Sequence, residues 1–559
     1  MSRTDTEERA PLLRSDESST SGTAAEDDKA PAISTSRGAL VCTSIGLLIF
    51  LQACSSTTGA NISILTTTQS SIAADLDSFE EATWFTSSYL IAMSALAPLM
   101  GRLSQVFSPR MCMFFSTTLI CAGSLITSLA NSLTWFLVGR SLTGAGGAGI
   151  LIVATIVVIQ MVSAKRRGLF IGLANTGMTV GLSLGAVIAG ALEPIVGWKP
   201  LFGIQAPLSL LAGFGVLFGL PSGYSTKNND PKHRSLNQKL ARIDYSGALL
   251  LIATIILFLY GLSGPRVLAT PLVLSAFALP VFILNEIYVA KDPVIPITVL
   301  RSRGTLIICL ATVGTMMARW VVLFYTPVYA IAVRGWAPAI AGTILIPTNA
   351  GFAAGGLLAG IFHIRRNGSF YLHTLITNIL FPVTLLVLAF VTTPDSSPVL
   401  YVLMVFCNGA LAGAGLNYTL VHLLHLTLPE VHPIVLSLLA TFRGFAGSFG
   451  SAIGGGIFER VLQTSLVDGF SREGIEDRTG LIRRLLGSPA LVGTLEGQRH
   501  DIAVHAYQEA IKTLFLCGAG LAIIVAIVQA GSGWTAPEKI TKLSEEEEAS
   551  TDETLTSSA

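Results

Sequence analysis

Fourteen times along the chain, a run of about 20 residues passes with almost no charged side chain, and this spacing restricts the possible folds more than any other feature. The runs fall near 38–58, 81–101, 111–129, 133–159, 168–192, 199–220, 244–262, 270–290, 307–331, 339–363, 370–392, 398–423, 433–463 and 510–530. A backbone inside hydrocarbon finds no water to bond, so each run predicts a helix closed on its own hydrogen bonds. The expected fold is an all-α membrane protein with fourteen transmembrane helices, an even number that returns both termini to one side. Charged residues make up 12% of the 559-residue chain and its mean hydropathy is +0.65, as a chain solvated mainly by lipid requires.

Basic residues decide which side that is, because short loops rich in Lys and Arg stay in the cytosol. Loops on the side of the N-terminus carry Arg102, Arg110, Lys165, Arg166, Arg167, Arg365 and Arg366 among others, whereas the short opposite loops carry Lys199, Arg266 and Arg334. Both tails are therefore expected in the cytosol. A formal net charge of +1 supplies no field to draw nucleic acid. The seven cysteines all lie in apolar stretches without metal-ligand spacing, so neither a metal nor a disulfide framework is expected. No nucleophile and base set or phosphate loop stands out, which predicts neither an enzyme nor a cofactor.

The organisation follows from these runs. Residues 1–37 form a polar tail expected to be disordered, 38–220 a first six-helix bundle, and 221–243 a cytosolic loop. Residues 244–290 supply two additional spans, 291–530 a second six-helix bundle with a long non-cytosolic loop at 464–509, and 531–559 a second polar tail.

Between spans two and three, Gly101-Arg102-Leu103-Ser104-Gln105 continues to Arg110. Span four carries Gly139-Arg140-Ser141-Leu142-Thr143-Gly144-Ala145-Gly146-Gly147, and span five spaces Gly172, Gly181, Gly185 and Gly190. Gly197-Trp198-Lys199-Pro200-Leu201-Phe202 and Ile243-Asp244-Tyr245-Ser246-Gly247 open spans six and seven. In this order the motifs resemble those of the major facilitator superfamily, and within it the fourteen-span drug:proton antiporters. Tyr325-Thr326-Pro327-Val328-Tyr329 and Phe442-Arg443-Gly444-Phe445-Ala446-Gly447 are similar to the group of fungal vacuolar amino-acid transporters. The resemblance implies two rocking bundles around a central substrate site. It also implies a latch at Gly101, Arg102, Gln105 and Arg110, in which Gln105 replaces the family's Asp. Gly181 and Gly185 would be the sliding face of span five, where Ala186 replaces the family's proline.

Arginine within hydrocarbon is costly unless it meets a cavity or a partner, so Arg140, Arg319 and Arg443 are candidate substrate-path residues. They would make the path electropositive and suit a substrate with a carboxylate. Each also has a structural alternative, a guanidinium bonded to backbone carbonyls or snorkelling to the interface. Asn61, Asn175, Asn408 and Asn417 are further path candidates, or glue between helices. The resemblance places Asn61 where the antiporters carry a proton-bearing Asp. His422, His425 and Asp75 remain as groups to link a proton to transport.

The sequence thus predicts a transporter moving a small organic solute out of the cytosol, proton-coupled and loading a vacuole with amino acids. A plasma-membrane exporter of drugs or secondary metabolites is the alternative, and a transporter-like nutrient sensor a lesser one. Glu8-Arg9-Ala10-Pro11-Leu12-Leu13 has the acidic dileucine form that a sorting adaptor reads. If it is read, replacing Leu12 and Leu13 by alanine moves a fluorescently tagged chain from the vacuolar membrane to the cell surface. Unchanged localisation of that variant removes the sorting signal from the account.

Overall fold

A segment that must satisfy its own backbone becomes a helix, and one with an apolar surface all round becomes a buried or lipid-facing helix. The computed structural model describes residues 35–55, 71–79, 81–161, 181, 185, 188–189, 191–220, 244–263, 266–290, 293–295, 300, 302–363, 370–428, 432–474 and 479–533. The first half contains α1 (Thr35–Ser55), α2 (Ala82–Val106), α3 (Pro109–Ser128), α4 (Leu133–Met161), α5 (Trp198–Gly203) and α6 (Gln205–Gly219). Then come α7 (Tyr245–Leu262) and α8 (Ala269–Tyr288). The second half contains α9 (Arg303–Ala332), α10 (Pro338–Gly342), α11 (Leu345–Leu358), α12 (Tyr371–Val391), α13 (Pro398–His425), α14 (His432–Arg472), α15 (Thr479–Gly487) and α16 (Gln498–Ala530).

Ten described helical segments are long and apolar enough to cross a membrane. They coincide with expected spans three, four, six to twelve and fourteen. Span five lies largely outside the described residues. The apolar stretch Leu40–Leu51 of α1, which matches span one, is shorter than the ten, and helices α2 and α14, which match spans two and thirteen, also fall outside them. Their place in the bundle supplies the reason: they pack on each other across the middle of the molecule. They therefore carry buried hydroxyls such as Ser87, Ser94, Thr441, Ser448 and Ser451 rather than an unbroken lipid-facing surface.

Packing within the two halves repeats. In the first, α2 lies on α4, α3 on α4 and on α6, and α1 on α6. In the second, α11 lies on α13, α12 on α13 and on α16, and α9 on α16. Both versions of the first pair close to backbone contact through glycine. A Cβ at Gly144 of α4 would lie 2.2 Å from the Tyr89 carbonyl oxygen of α2, and one at Gly413 of α13 would lie 2.0 Å from that of Phe352 on α11. Only hydrogen at these Cα atoms permits the approach.

The halves meet along α2 and α14. Ser448 Oγ donates to the Leu90 carbonyl at 2.7 Å, Ser94 Oγ donates to the Gly444 carbonyl at 3.3 Å, and the two hydroxyls bond to each other. Helix α7 touches both partners of this seam. Its Tyr260 ring lies 5.3 Å from Trp84 of α2, and its Phe258 ring lies 5.7 Å from Phe449 of α14. Helix α7 therefore flanks the junction, with α8 packed on α7.

Two expectations change. The loop expected at 101–110 is mostly helix: α2 runs on through Gly101, Arg102 and Gln105 to Val106, and α3 starts at Pro109 with the Ser108 hydroxyl accepting from the Met111 amide. Proline at the first helical position and serine at the cap need no longer connection. The expected loop 464–509 is largely helical too, because α14 continues to Arg472, α15 follows, and α16 begins at Gln498. The Tyr507 hydroxyl, donating to the Leu485 carbonyl, ties α16 to α15.

The glycine seam yields a test. Gly413→Val forces a side chain into the Phe352 carbonyl and should destabilise the chain by about 1–3 kcal/mol, lowering its unfolding temperature in detergent. Gly518→Ala, whose Cβ would meet nothing closer than 3.9 Å, should leave it unchanged. Equal melting of the two variants contradicts the seam.

Candidate functional site

Charge placed in hydrocarbon identifies where a helical bundle does more than pack. Among the described residues the buried charged side chains are Arg140, Glu286, Arg319 and Glu459.

Arg140 lies two turns into α4 and is 1% exposed. Its Nε donates to the Phe85 carbonyl of α2 at 3.2 Å, and its guanidinium carbon stands 4.9 Å from the Tyr89 ring and 5.7 Å from the Phe202 ring of α5. Phe85, Phe136, Trp198 and Phe202 close the surroundings edge to face. One guanidinium thus pins three helices by a carbonyl bond and two cation–π contacts. Tyr89 is fully buried beneath this arginine.

Arg319, near the middle of α9, is 3% exposed. Its Nη1 donates to Thr348 Oγ1 at 2.7 Å, and its Nη2 to the Thr348 carbonyl at 3.1 Å and to Asn349 Oδ1 at 3.4 Å. The Phe352 ring centre lies 5.6 Å from the guanidinium. Thr348 and Asn349 belong to the first turn and a half of α11, and Thr348 Oγ1 in turn donates to the Val405 carbonyl of α13 at 3.3 Å. The guanidinium is drawn inward by these partners and does not snorkel. Arg443 of α14 is half-buried and sits next to Gly444, whose carbonyl takes part in the seam with α2.

The asparagines bridge helices. Asn408 Nδ2 on α13 donates to Thr384 Oγ1 on α12 at 2.9 Å, and Asn417 Nδ2 donates to the Gly356 carbonyl on α11 at 2.6 Å. Asn61 and Asn175 lie outside the described residues, as do Glu8, Leu12 and Leu13. Gly101 is buried at the end of α2, with Arg102 and Gln105 in the same turns, and Arg110 is half-buried in the first turn of α3. Gly181 and Gly185 are both helical and buried.

The groups considered for proton linkage are dispersed. Asp75 is exposed and accepts from Trp198 Nε1 at 2.8 Å, tying the short helical stretch at 71–75 to α5. His422 is buried at the end of α13, its Nε2 3.4 Å from Ser532 Oγ, with the Tyr371 ring 5.7 Å away; His425 is half-buried one turn on. Both lie where α16 ends against α12 and α13, a contact closed by the Tyr371 hydroxyl donating to the Ala530 carbonyl at 2.7 Å. Sequence reasoning placed Glu459 at a span end and passed over it. It is 7% exposed, on the part of α14 that packs against α9, beside Tyr325. The signal available was a carboxylate four residues inside an apolar run. Among the described residues no group of three or more His, Cys, Asp or Glu is arranged to hold a metal ion.

Removing Arg140 strips α4 of its bond to α2. Arg140→Ala should cut the initial transport rate at least tenfold while the protein still elutes as a single species and reaches its membrane. Wild-type flux in that variant reduces Arg140 to a packing residue.

Two halves with repeated packing, joined along one helix pair, define an architecture that comparison with known proteins identifies. Residues 48–451 match the Major Facilitator Superfamily. The chain is 24% identical over 474 residues to Multidrug resistance protein fnx1 of Schizosaccharomyces pombe, covering 83% of this chain and 86% of that one. It is 26% identical to Multidrug resistance protein 3 of Bacillus subtilis over 73% of this chain and 78% of the relative. In shape it is similar to a bacterial homolog of the human lysosomal transporter Spinster, solved in an inward-facing and unoccupied conformation. The TM-score is 0.59 at 14% identity, over 89% of this chain and 98% of that structure. A match across most of the length, on a fold of this kind, makes the chain a member of the major facilitator superfamily, a family of membrane transporters rather than enzymes.

Proposed function

We propose that the protein is a secondary transporter that exports structurally varied, largely apolar organic molecules from the cytosol. The observation that carries this reading is the likeness, over more than four fifths of the chain, to a relative named for multidrug resistance. That likeness favours drug or metabolite efflux over the vacuolar amino-acid transport suggested by motifs in the second half. The reading includes fourteen spans, both tails in the cytosol, and alternating access by rocking of the halves about α2 and α14. An aromatic and aliphatic seam is suited to apolar cargo, since Trp84, Phe258, Phe442, Phe445 and Phe449 gather where α2, α7 and α14 meet. The acidic dileucine sequence supports a second reading, in which the same export loads a vacuole-like compartment.

Coupling to a proton gradient needs a carboxyl or imidazole that is exposed to each side in turn. Glu459 is the buried carboxyl in the helix that forms the seam, and we assign the coupling to it rather than to Asp75. Proteoliposomes with an imposed pH gradient test both statements, using ethidium, rhodamine 6G and a panel of amino acids as cargo. The dyes should be taken up against their gradient, and Glu459→Gln should abolish the pH-driven component while leaving exchange of labelled dye across the membrane. Uptake confined to amino acids refutes multidrug export. Full pH-driven uptake by the variant moves the coupling elsewhere.

A further inference from the structure

Among the described residues no acidic side chain neutralises the charge of Arg319. Each of its hydrogen bonds goes to a neutral acceptor: a hydroxyl, a backbone carbonyl and a side-chain amide oxygen. Among the described residues it makes no ion pair. The two buried carboxylates stand elsewhere, Glu286 accepting from the Val294 amide at 3.2 Å and Glu459 beside Tyr325. Residues 56–70, and those of 162–190 that lie outside the described set, contain no Asp or Glu. A guanidinium 3% exposed and without a counter-charge among the described residues is held at considerable cost, which an arriving anion removes.

The neighbouring amide points the same way. A guanidinium only donates, so it fixes Asn349 with Oδ1 toward Nη2 and turns the amide Nδ2 away. That Nδ2 is buried without an acceptor, on a side chain only 3% exposed. The site therefore holds a positive charge and a surplus donor, with no surplus acceptor beside them. Thr348 acts as a positioning residue: its hydroxyl accepts from Nη1 and donates to Val405, which locks the guanidinium in place. The Phe352 ring presents an apolar face on the same side. Arg319 lies 16 residues into α9, or about 24 Å along its axis, a depth that belongs to the middle of a span.

We propose that Arg319 and Asn349 form a subsite for one carboxylate, borne by an otherwise apolar substrate whose ring or chain lies against Phe352. This rests on the export reading above and adds to it that organic monoanions are among the cargo. The carboxylate would bond the guanidinium and the free amide hydrogens together, supplying both missing acceptors at once.

The test uses the full chain in lipid nanodiscs with benzoate, 1-naphthoate and decanoate, each paired with its methyl ester, and with sodium chloride as the inorganic arm. At least one carboxylate should raise the unfolding temperature and bind at least tenfold more tightly than its ester. Arg319→Gln should erase that preference. Against loss of this variant to misfolding, Asn349→Asp provides a second arm: it places a carboxylate beside Arg319, so the variant should melt higher than wild type and no longer respond to the carboxylates. Indifference of the wild type to all three acids overturns the subsite, and so does an undiminished response in Asn349→Asp or an equal response to chloride alone. Dye uptake in the proteoliposomes separates the two claims: with uptake intact, such results defeat the subsite alone, and with uptake absent, the export reading falls as well.

Discussion

Hydrocarbon offers a polar group nothing to bond, and most of this structure follows from that. Each buried guanidinium has had to be met by protein. Arg140 takes a carbonyl of α2 and two aromatic faces, and Arg319 takes the hydroxyl and carbonyl of Thr348 and the amide of Asn349. Arg140 joins α4 to α2, the pair that Gly144 lets close to backbone contact, and Gly413 does the same for α11 and α13 beside the Arg319 bonds. Charge and glycine are thus two parts of one device. The glycines permit approach, and the arginines fix which helices approach.

The same constraint shapes the junction between halves. At the centre of α2 and α14 serine hydroxyls and backbone carbonyls bond the two helices to each other. Small residues leave a smooth surface along which one helix can turn on the other, and a few hydrogen bonds are readily exchanged. Placing α7 across both helices adds an aromatic brace at the lipid-facing edge of that surface. An architecture of two stiff halves with a smooth joint is what alternating access requires.

Much of this was legible in the chain. Ten helices long and apolar enough to cross a membrane stand where the apolar runs put them, because a helix facing lipid must advertise itself in composition. Helices α2 and α14 were found from the same runs, but their extents were not: α2 continues five residues past 101 and α14 nine past 463, since neither end is set by lipid. The arginines were visible as charges out of place. Their partners were not, because Thr348 and Asn349 are about 30 residues from Arg319 in sequence and meet it only through packing of α9 on α11. Glu459 was misjudged for a related reason: sequence gives its distance from the end of an apolar run, whereas burial depends on the neighbouring helix. Resemblance, too, divided by scale. Ordered motifs identified the superfamily, which the match over residues 48–451 supports, while the vacuolar amino-acid group suggested by shorter stretches gained no support from relatives named for multidrug resistance.

Rocking of the two halves is the central claim, and a distance between them at the end that carries the basic loops tests it most directly. Met111 at the start of α3 and Leu372 at the start of α12 are both exposed and belong to opposite halves. Spin labels placed there on a cysteine-free background and read by double electron–electron resonance in nanodiscs should give two distance populations, with weights that shift on adding a transported dye or lowering the pH. A single distance, unchanged by either, would contradict alternating access in this protein.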